Sequence, residues 1–178
     1  MKGKITRKSL RLKNYDYSSN GKYFITVCTF GKDYYFGKIQ NGKMMLSDIG
    51  QIVEEELLLS KAIWQRKNID IEKYVIMPNH IHMIISISKS EMYHNYQKEE
   101  FGKPSSESIP SIIRSFKSIV TRRIHNTLND WQTPYKIWQS RYYDNIIRDE
   151  EAYFKICEYI DTNPERWNED KFNFINIK

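Results

Sequence analysis

A chain of 178 residues is the size of one domain and long enough to bury a real core, and its 13 Tyr, 8 Phe and 4 Trp supply ample packing material. Its 28 Lys and Arg against 22 Asp and Glu leave a formal charge of +6, which suits a polyanionic partner such as nucleic acid, although a basic balance is also common among small soluble proteins. Two cysteines, Cys28 and Cys157, exclude a disulfide framework, no run approaches the roughly 20 apolar residues of a membrane span, and the basic start Met1–Lys8 lacks the apolar run of a signal peptide. The expectation is one domain over 1–178 in a reducing cytoplasm, near the nucleoid, with no membrane partner.

Residues 1–21 are basic and polar and end in Ser18-Ser19-Asn20-Gly21, which reads as an arm or a first edge element. Lys22 to Phe30 is rich in β-branched and aromatic residues and predicts a strand. Tyr34–Gln40 and Lys43–Leu46 flank Asn41-Gly42, the signature of a tight hairpin. Ser47-Asp48 offers an N-cap to a helix reaching about Trp64, with Ile49, Ile52, Val53, Glu56, Leu57 and Ile63 in helical rhythm. Two strands follow, Ile69–Met77 and His80–Ser88, joined by Pro78-Asn79. The polar stretch 89–107 predicts a flexible connection. Ile109, Ile112, Ile113, Phe116, Val120, Ile124 and Leu128 then give a helix one buried stripe. Trp138–Ile147 predicts another strand, and Asp149 caps a last helix that runs to about Asn163, before Pro164. This order of elements predicts an α+β fold: a ferredoxin-like antiparallel sheet with helices packed on one face.

The sharpest local pattern is Met77-Pro78-Asn79-His80-Ile81-His82-Met83. Residues two apart in a strand share a face, so His80 and His82 project together while Ile81, Met83, Ile85 and Ile87 form a wholly apolar face behind them. Such a pair can share one metal ion, or be two ordinary buried histidines. Tyr159 and Asn163 stand four apart and so share a helical face. An amide oxygen from Asn163 with two imidazoles would leave positions open for phosphate and water, as Mg²⁺ or Mn²⁺ requires, and Tyr159 could attack beside it. The alternative is a core tyrosine and a helix-terminating asparagine.

Tyr74-Val75-Ile76-Met77-Pro78-Asn79-His80-Ile81-His82 resembles the His-hydrophobic-His signature of the single-tyrosine HUH transposases. Trp138-Gln139-Ser140-Arg141-Tyr142-Tyr143-Asp144, running on to Arg148, and then Glu158-Tyr159-Ile160-Asp161-Thr162-Asn163-Pro164 resemble the REP-associated tyrosine transposase branch. The resemblance covers about residues 22–167, the transposase-like core. It implies a divalent metal, Mg²⁺ or Mn²⁺, on His80 and His82, with Tyr159 as nucleophile. The third ligand, usually Gln in the insertion-sequence branch, would be Asn163. The implied reaction is cleavage and rejoining of hairpin-forming single-stranded DNA through a 5′-phosphotyrosine, by a monomer or a homodimer and without a nucleotide cofactor. No Gly-rich phosphate loop is present in the sequence.

Candidate DNA contacts are Arg114, Lys117, Arg122 and Arg123 on the helix from Ile109, which could equally form a solvated charged face. Arg141 and Arg148 lie near the late helix in sequence, and Tyr142 and Tyr143 could stack on bases. The basic N-terminal arm could grip a DNA hairpin. A competing function is a single-stranded nucleic-acid-binding module without catalysis, since ferredoxin-like sheets commonly bind through surface aromatics. A third is a metal phosphoesterase that uses water as its nucleophile.

Overall fold

A computed structural model describes residue 12 and residues 15–89, 107–128 and 133–173. Its centre is a four-stranded antiparallel sheet in the order β4-β5-β1-β6, formed by β1 (Gly21–Cys28), β4 (Ile69–Met77), β5 (His80–Ile87) and β6 (Tyr143–Ile147). A separate hairpin, β2 (Gly37–Gln40) with β3 (Lys43–Leu46), interrupts the chain between β1 and helix α1 (Asp48–Gln65). Asn41 and Gly42 both take positive φ, 52° and 71°, as a two-residue turn of this handedness requires. Helix α2 (Ile109–Thr127) joins β5 to β6, and α3 (Glu150–Thr162) follows β6. Without the inserted hairpin, the β1-α1-β4-β5-α2-β6 order and sheet arrangement are those of the expected α+β, ferredoxin-like fold.

The expected helix starts are built as the sequence indicates. Ser47 Oγ accepts from Gly50 N at the start of α1, and Asp149 Oδ1 accepts from Ala152 N at the start of α3. The strand expected over Trp138–Ile147 is shorter: Trp138 forms an isolated bridge with Thr29, and pairing with β1 resumes at Tyr143. Trp138 packs its ring against Phe36 and Phe116 and donates from Nε1 to Lys117 O, so packing and not ladder pairing fixes it.

Helices α1 and α2 cover one face of the sheet. The core there joins Tyr23, Ile25 and Val27 of β1 and Ile81, Met83, Ile85 and Ile87 of β5 to the α1 and α2 stripes. Helix α3 lies on the opposite face, where Ile84 and Ile147 meet Ile160, with Phe24, Tyr153 and Ile156 at the margin. Ile160 is the one residue of α3 that is fully buried, so this second layer is thin. A Lys73–Asp161 ion pair of 2.7 Å ties α3 to β4.

Of the expected arm, residues 15–20 pack onto this fold: Tyr17 is buried and donates to Asp144 Oδ2 at 2.6 Å. The rest of the arm, except residue 12, and most of the 89–107 connection lie outside the described residues. Among the described residues no helix is long and apolar enough to cross a membrane.

Candidate active site

Strand alternation brings the site together. His80 and His82 leave β5 on the face opposite Ile81 and Met83, and register pairs them across β1 with Cys28 and Thr26. Both imidazoles are buried, at 0% and 1% exposure, so each must find partners inside the protein. The ring of His80 bonds through Nδ1 to Asn79 Oδ1 at 2.8 Å. Asn79 is oriented by its own amide donor, which bonds Lys32 O at 3.0 Å and Phe172 O at 2.8 Å, leaving Oδ1 to accept from His80. His80 therefore carries its proton on Nδ1 and presents a lone pair at Nε2. His82 Nδ1 bonds Thr26 Oγ1 at 2.8 Å, and its Nε2 stands 3.0 Å from that of His80.

Helix α3 reaches the same point. Tyr159 Oη lies 3.1 Å from His82 Nε2 and donates to Asp170 Oδ2 at 3.3 Å. Asn163, 2% exposed and one turn further on, donates from Nδ2 to Asp170 Oδ2 at 2.9 Å. That bond turns Asn163 Oδ1 the other way, where it is buried with no hydrogen-bond partner. Asp170 follows the short 3₁₀ turn Trp167–Glu169, and its Oδ1 accepts from Phe172 N at 2.7 Å.

Electrostatics follow from burial. Desolvation, reinforced by Lys171 and Lys32, pushes the His80 pKa down to about 3, and desolvation with the neighbouring His80 holds His82 well below the ordinary imidazole value. Both rings are neutral at pH 7, the state in which imidazole binds a cation. Burial, and then the charge of Asp170, raises the Tyr159 phenol above its ordinary value, so it holds its proton in this arrangement.

The residues fit a divalent cation. The ligand atoms of His80, His82 and Asp170 lie within 4.8 Å of one another, both imidazoles have Nδ1 engaged elsewhere, and Asn163, bonded to Asp170 through Nδ2, carries a buried amide oxygen without a hydrogen-bond partner. An unpaired buried oxygen costs stability unless something satisfies it, and a cation would do so.

The sequence-predicted residues divide sharply. His80, His82, Tyr159 and Asn163 come together. Arg114, Lys117, Arg122 and Arg123 lie on α2, across the sheet from them. Lys117 Nζ bonds Gln139 O at 2.8 Å, and Arg123 is ion-paired with Glu55 and Glu56. Arg141 and Arg148 are exposed on either side of β6. Tyr142 is 8% exposed and belongs to the α1–α2 core, so the ring available on this strand is Tyr143, at 45%. Sequence reasoning missed Asn79 and Asp170. The first sits within the quoted His motif, and its position beside His80 was a usable signal; the second follows a turn after Pro164, and nothing local singles it out from Glu169.

No protein-family model matches the chain. A solved structure described as a REP-associated tyrosine transposase bound to a REP hairpin matches with a TM-score of 0.61 and 18% identity, covering 90% of this chain and 76% of that one. An "Uncharacterized protein" of Haemophilus influenzae is 38% identical over 178 aligned positions, gaps included, that span 93% of this chain and 92% of its own length. The chain thus belongs to one family with the Haemophilus protein and has the fold of the single-tyrosine HUH transposases.

Proposed function

We propose that this protein cleaves and rejoins single-stranded DNA, with Tyr159 as the covalent nucleophile and with His80, His82 and Asn163, joined by Asp170, holding Mg²⁺ or Mn²⁺. The observation that carries the reading is Tyr159 Oη standing 3.1 Å from His82 Nε2, itself 3.0 Å from His80 Nε2, with Asp170 bonded to both Tyr159 and Asn163. A binding module without chemistry has no use for a neutral, desolvated pair of imidazoles aimed at a phenol. When bound, the cation supplies Lewis-acid polarisation of a phosphoryl oxygen.

The chain's own residues account for the rest. Asn79 and Thr26 fix both rings so that their Nε2 atoms face inward. Tyr159 Oη attacks phosphorus, a P–Oη bond forms and the P–O3′ bond breaks, leaving a 5′-phosphotyrosine and a free 3′-OH. Asp170 Oδ2, at 3.3 Å, is the acceptor in line for the phenolic proton, and the departing 3′ oxygen takes a proton from water. Attack by a 3′-OH on the phosphotyrosine reverses these steps and joins strands without a nucleotide cofactor. The solved relative carries a REP hairpin, and by that likeness a hairpin-bearing strand is the proposed DNA, with Arg141 and Arg148 on its path.

Incubation with single-stranded DNA and Mn²⁺, read on a denaturing gel, tests this. A slow-migrating covalent species is expected, and Tyr159→Phe should lower its formation by about 10⁴-fold or more, since the nucleophile itself is removed. Cleavage that persists in Tyr159→Phe would mean that water is the nucleophile; DNA binding with no covalent species would leave the non-catalytic module.

A further inference from the structure

A cavity of about 470 Å³ opens beside the site, on the same face of the sheet, between the β1–β6 edge and the segment around Phe172. Its size is right for one nucleotide. Thr26 and Phe24 belong to its wall and to the site at once: Thr26 Oγ1 bonds His82 Nδ1, and the Phe24 ring stacks on His82 at 5.2 Å and meets Tyr159 edge-on at 6.1 Å. The strand proposed to be cut at Tyr159 would therefore pass the mouth of this cavity within one residue of the cleaved phosphate.

The lining has the two chemistries that a nucleotide needs. Lys32 and Lys171 stand on one side, with their ammonium groups 5.6 and 5.1 Å from the Phe172 ring centre. Tyr143 stands on the other, paired in register with Thr26, its ring exposed and 6.1 Å from that of Phe172. Asn145, the next outward residue on β6, adds an exposed amide that could meet a base edge. Asp144 also borders the cavity, but its register partner Ile25 belongs to the helix-covered face and its Oδ2 accepts from Tyr17, so its carboxylate is held toward the other side.

Two further features indicate that this wall is built and not incidental. Lys32 takes a φ of 60°, a conformation that favours Gly or Asn and costs a lysine stability. Asn79 Nδ2 bonds the carbonyls of both Lys32 and Phe172 while its Oδ1 orients His80. One fully buried amide thus sets the cationic wall at a fixed distance from the imidazole. Asn79 is a positioning residue for cavity and site together.

We infer that this cavity is a nucleotide subsite, taking the base next to the cleaved phosphate of single-stranded DNA on Tyr143 and its phosphate between Lys32 and Lys171. The inference rests on the proposed function and names a place for the substrate that the metal and nucleophile alone do not. Aromatic stacking holds the base without demanding a sequence, and paired lysines hold a phosphate as point charges.

The test uses the full chain and a fluorescent oligodeoxythymidylate in which 5-iodouracil replaces thymine. Irradiation joins the halogenated base to an aromatic ring stacked on it, and peptide mass mapping is expected to find Tyr143. Tyr143→Ala and Lys171→Ala should each weaken binding by roughly tenfold, a typical effect for one stacked base or one desolvated phosphate contact. An oligonucleotide stripped of its bases should keep its dependence on Lys171 and lose its dependence on Tyr143. Both positions are exposed, so the urea midpoint should not move. Full affinity in both variants with crosslinks elsewhere overturns the subsite, as does an oligouridylate that binds the cavity more tightly than DNA. If Tyr143→Ala keeps full affinity and still forms the Tyr159 adduct, the subsite falls and strand cleavage stands. A Tyr143 crosslink without any adduct supports the subsite and removes the cleavage reading.

Discussion

The two faces of β5 bury their side chains equally and use burial for opposite ends. Ile81, Met83, Ile85 and Ile87 are all at most 2% exposed and belong to the apolar cluster formed with β1, β4, α1 and α2. His80 and His82 are as deeply buried, yet each ring nitrogen is committed to a named partner. Burial on the first face stabilises the fold in proportion to the area removed from water. On the second it strips water from imidazoles and holds them neutral, which costs stability and creates a place for a cation. A strand that carries both tasks on alternate residues should let substitution separate them.

The largest expected effect falls on the histidine face. His82→Gln keeps a polar side chain beside Thr26 but removes the imidazole, so calorimetric Mn²⁺ binding should disappear and adduct formation should fall by about 10³-fold, the worth of several kcal/mol of Lewis-acid stabilisation. Its unfolding free energy in metal-free buffer should change by about 1 kcal/mol or less. On the other face, Ile85→Ala should cost about 2–5 kcal/mol in urea unfolding, by lost burial and the cavity left behind. Well below its melting point the same variant should retain its adduct rate within about threefold. If Ile85→Ala silences the chemistry in a folded protein, or His82→Gln unfolds the chain, the division between faces is wrong.

The division was legible because strand alternation is strict: His80 and His82, two apart in a strand whose other face is wholly apolar, state which side is which. The pairing of Tyr159 with Asn163 was legible for the same reason, helical spacing being local. The caps at Ser47 and Asp149 were readable too, since each bond spans three residues. Asp170 was not, because it reaches the site by a return of the chain after Pro164 and bonds Asn163 at a separation of 7 residues through space, with no periodic pattern. The side of the sheet taken by α3 was equally hidden: a helix with Ile160 as its one fully buried residue carries too faint a stripe to point anywhere. Choosing between Tyr142 and Tyr143 required the register of β6 against β1, and shifting one residue exchanges core for cavity.

Acid should expose the cost of the histidine face. In the unfolded chain an imidazole titrates near its reference value of about 6.5, whereas folding holds His80 at about 3. Between these values the unfolded state binds the extra proton, so the stability contributed by keeping His80 neutral is complete above pH 6.5 and is lost as pH falls toward 3. In metal-free buffer the unfolding free energy should decline through this window by as much as about 1.4 kcal/mol per pH unit for each such histidine. His80→Gln should flatten the slope. An unchanged slope in that variant would mean that other groups set the acid limit.

The smallest expected effect concerns where DNA lies, and it decides between faces that both carry positive charge. Arg148 is exposed at the end of β6, beside the thin α3 layer, whereas Arg122 is exposed on α2, on the far side of the sheet. A cation that neutralises one phosphate releases about one counterion, so its loss should lower the slope of log K against log salt by about one. Arg148→Ala is expected to do this, while Arg122→Ala should leave the slope unchanged if the strand is confined to the histidine face. Fluorescence anisotropy at four or five salt concentrations is enough to read the difference. Equal loss of slope in both variants would require DNA to reach around the sheet edge onto α2, and the α2 cations would then belong to the interface together with Tyr143 and the lysines of the cavity.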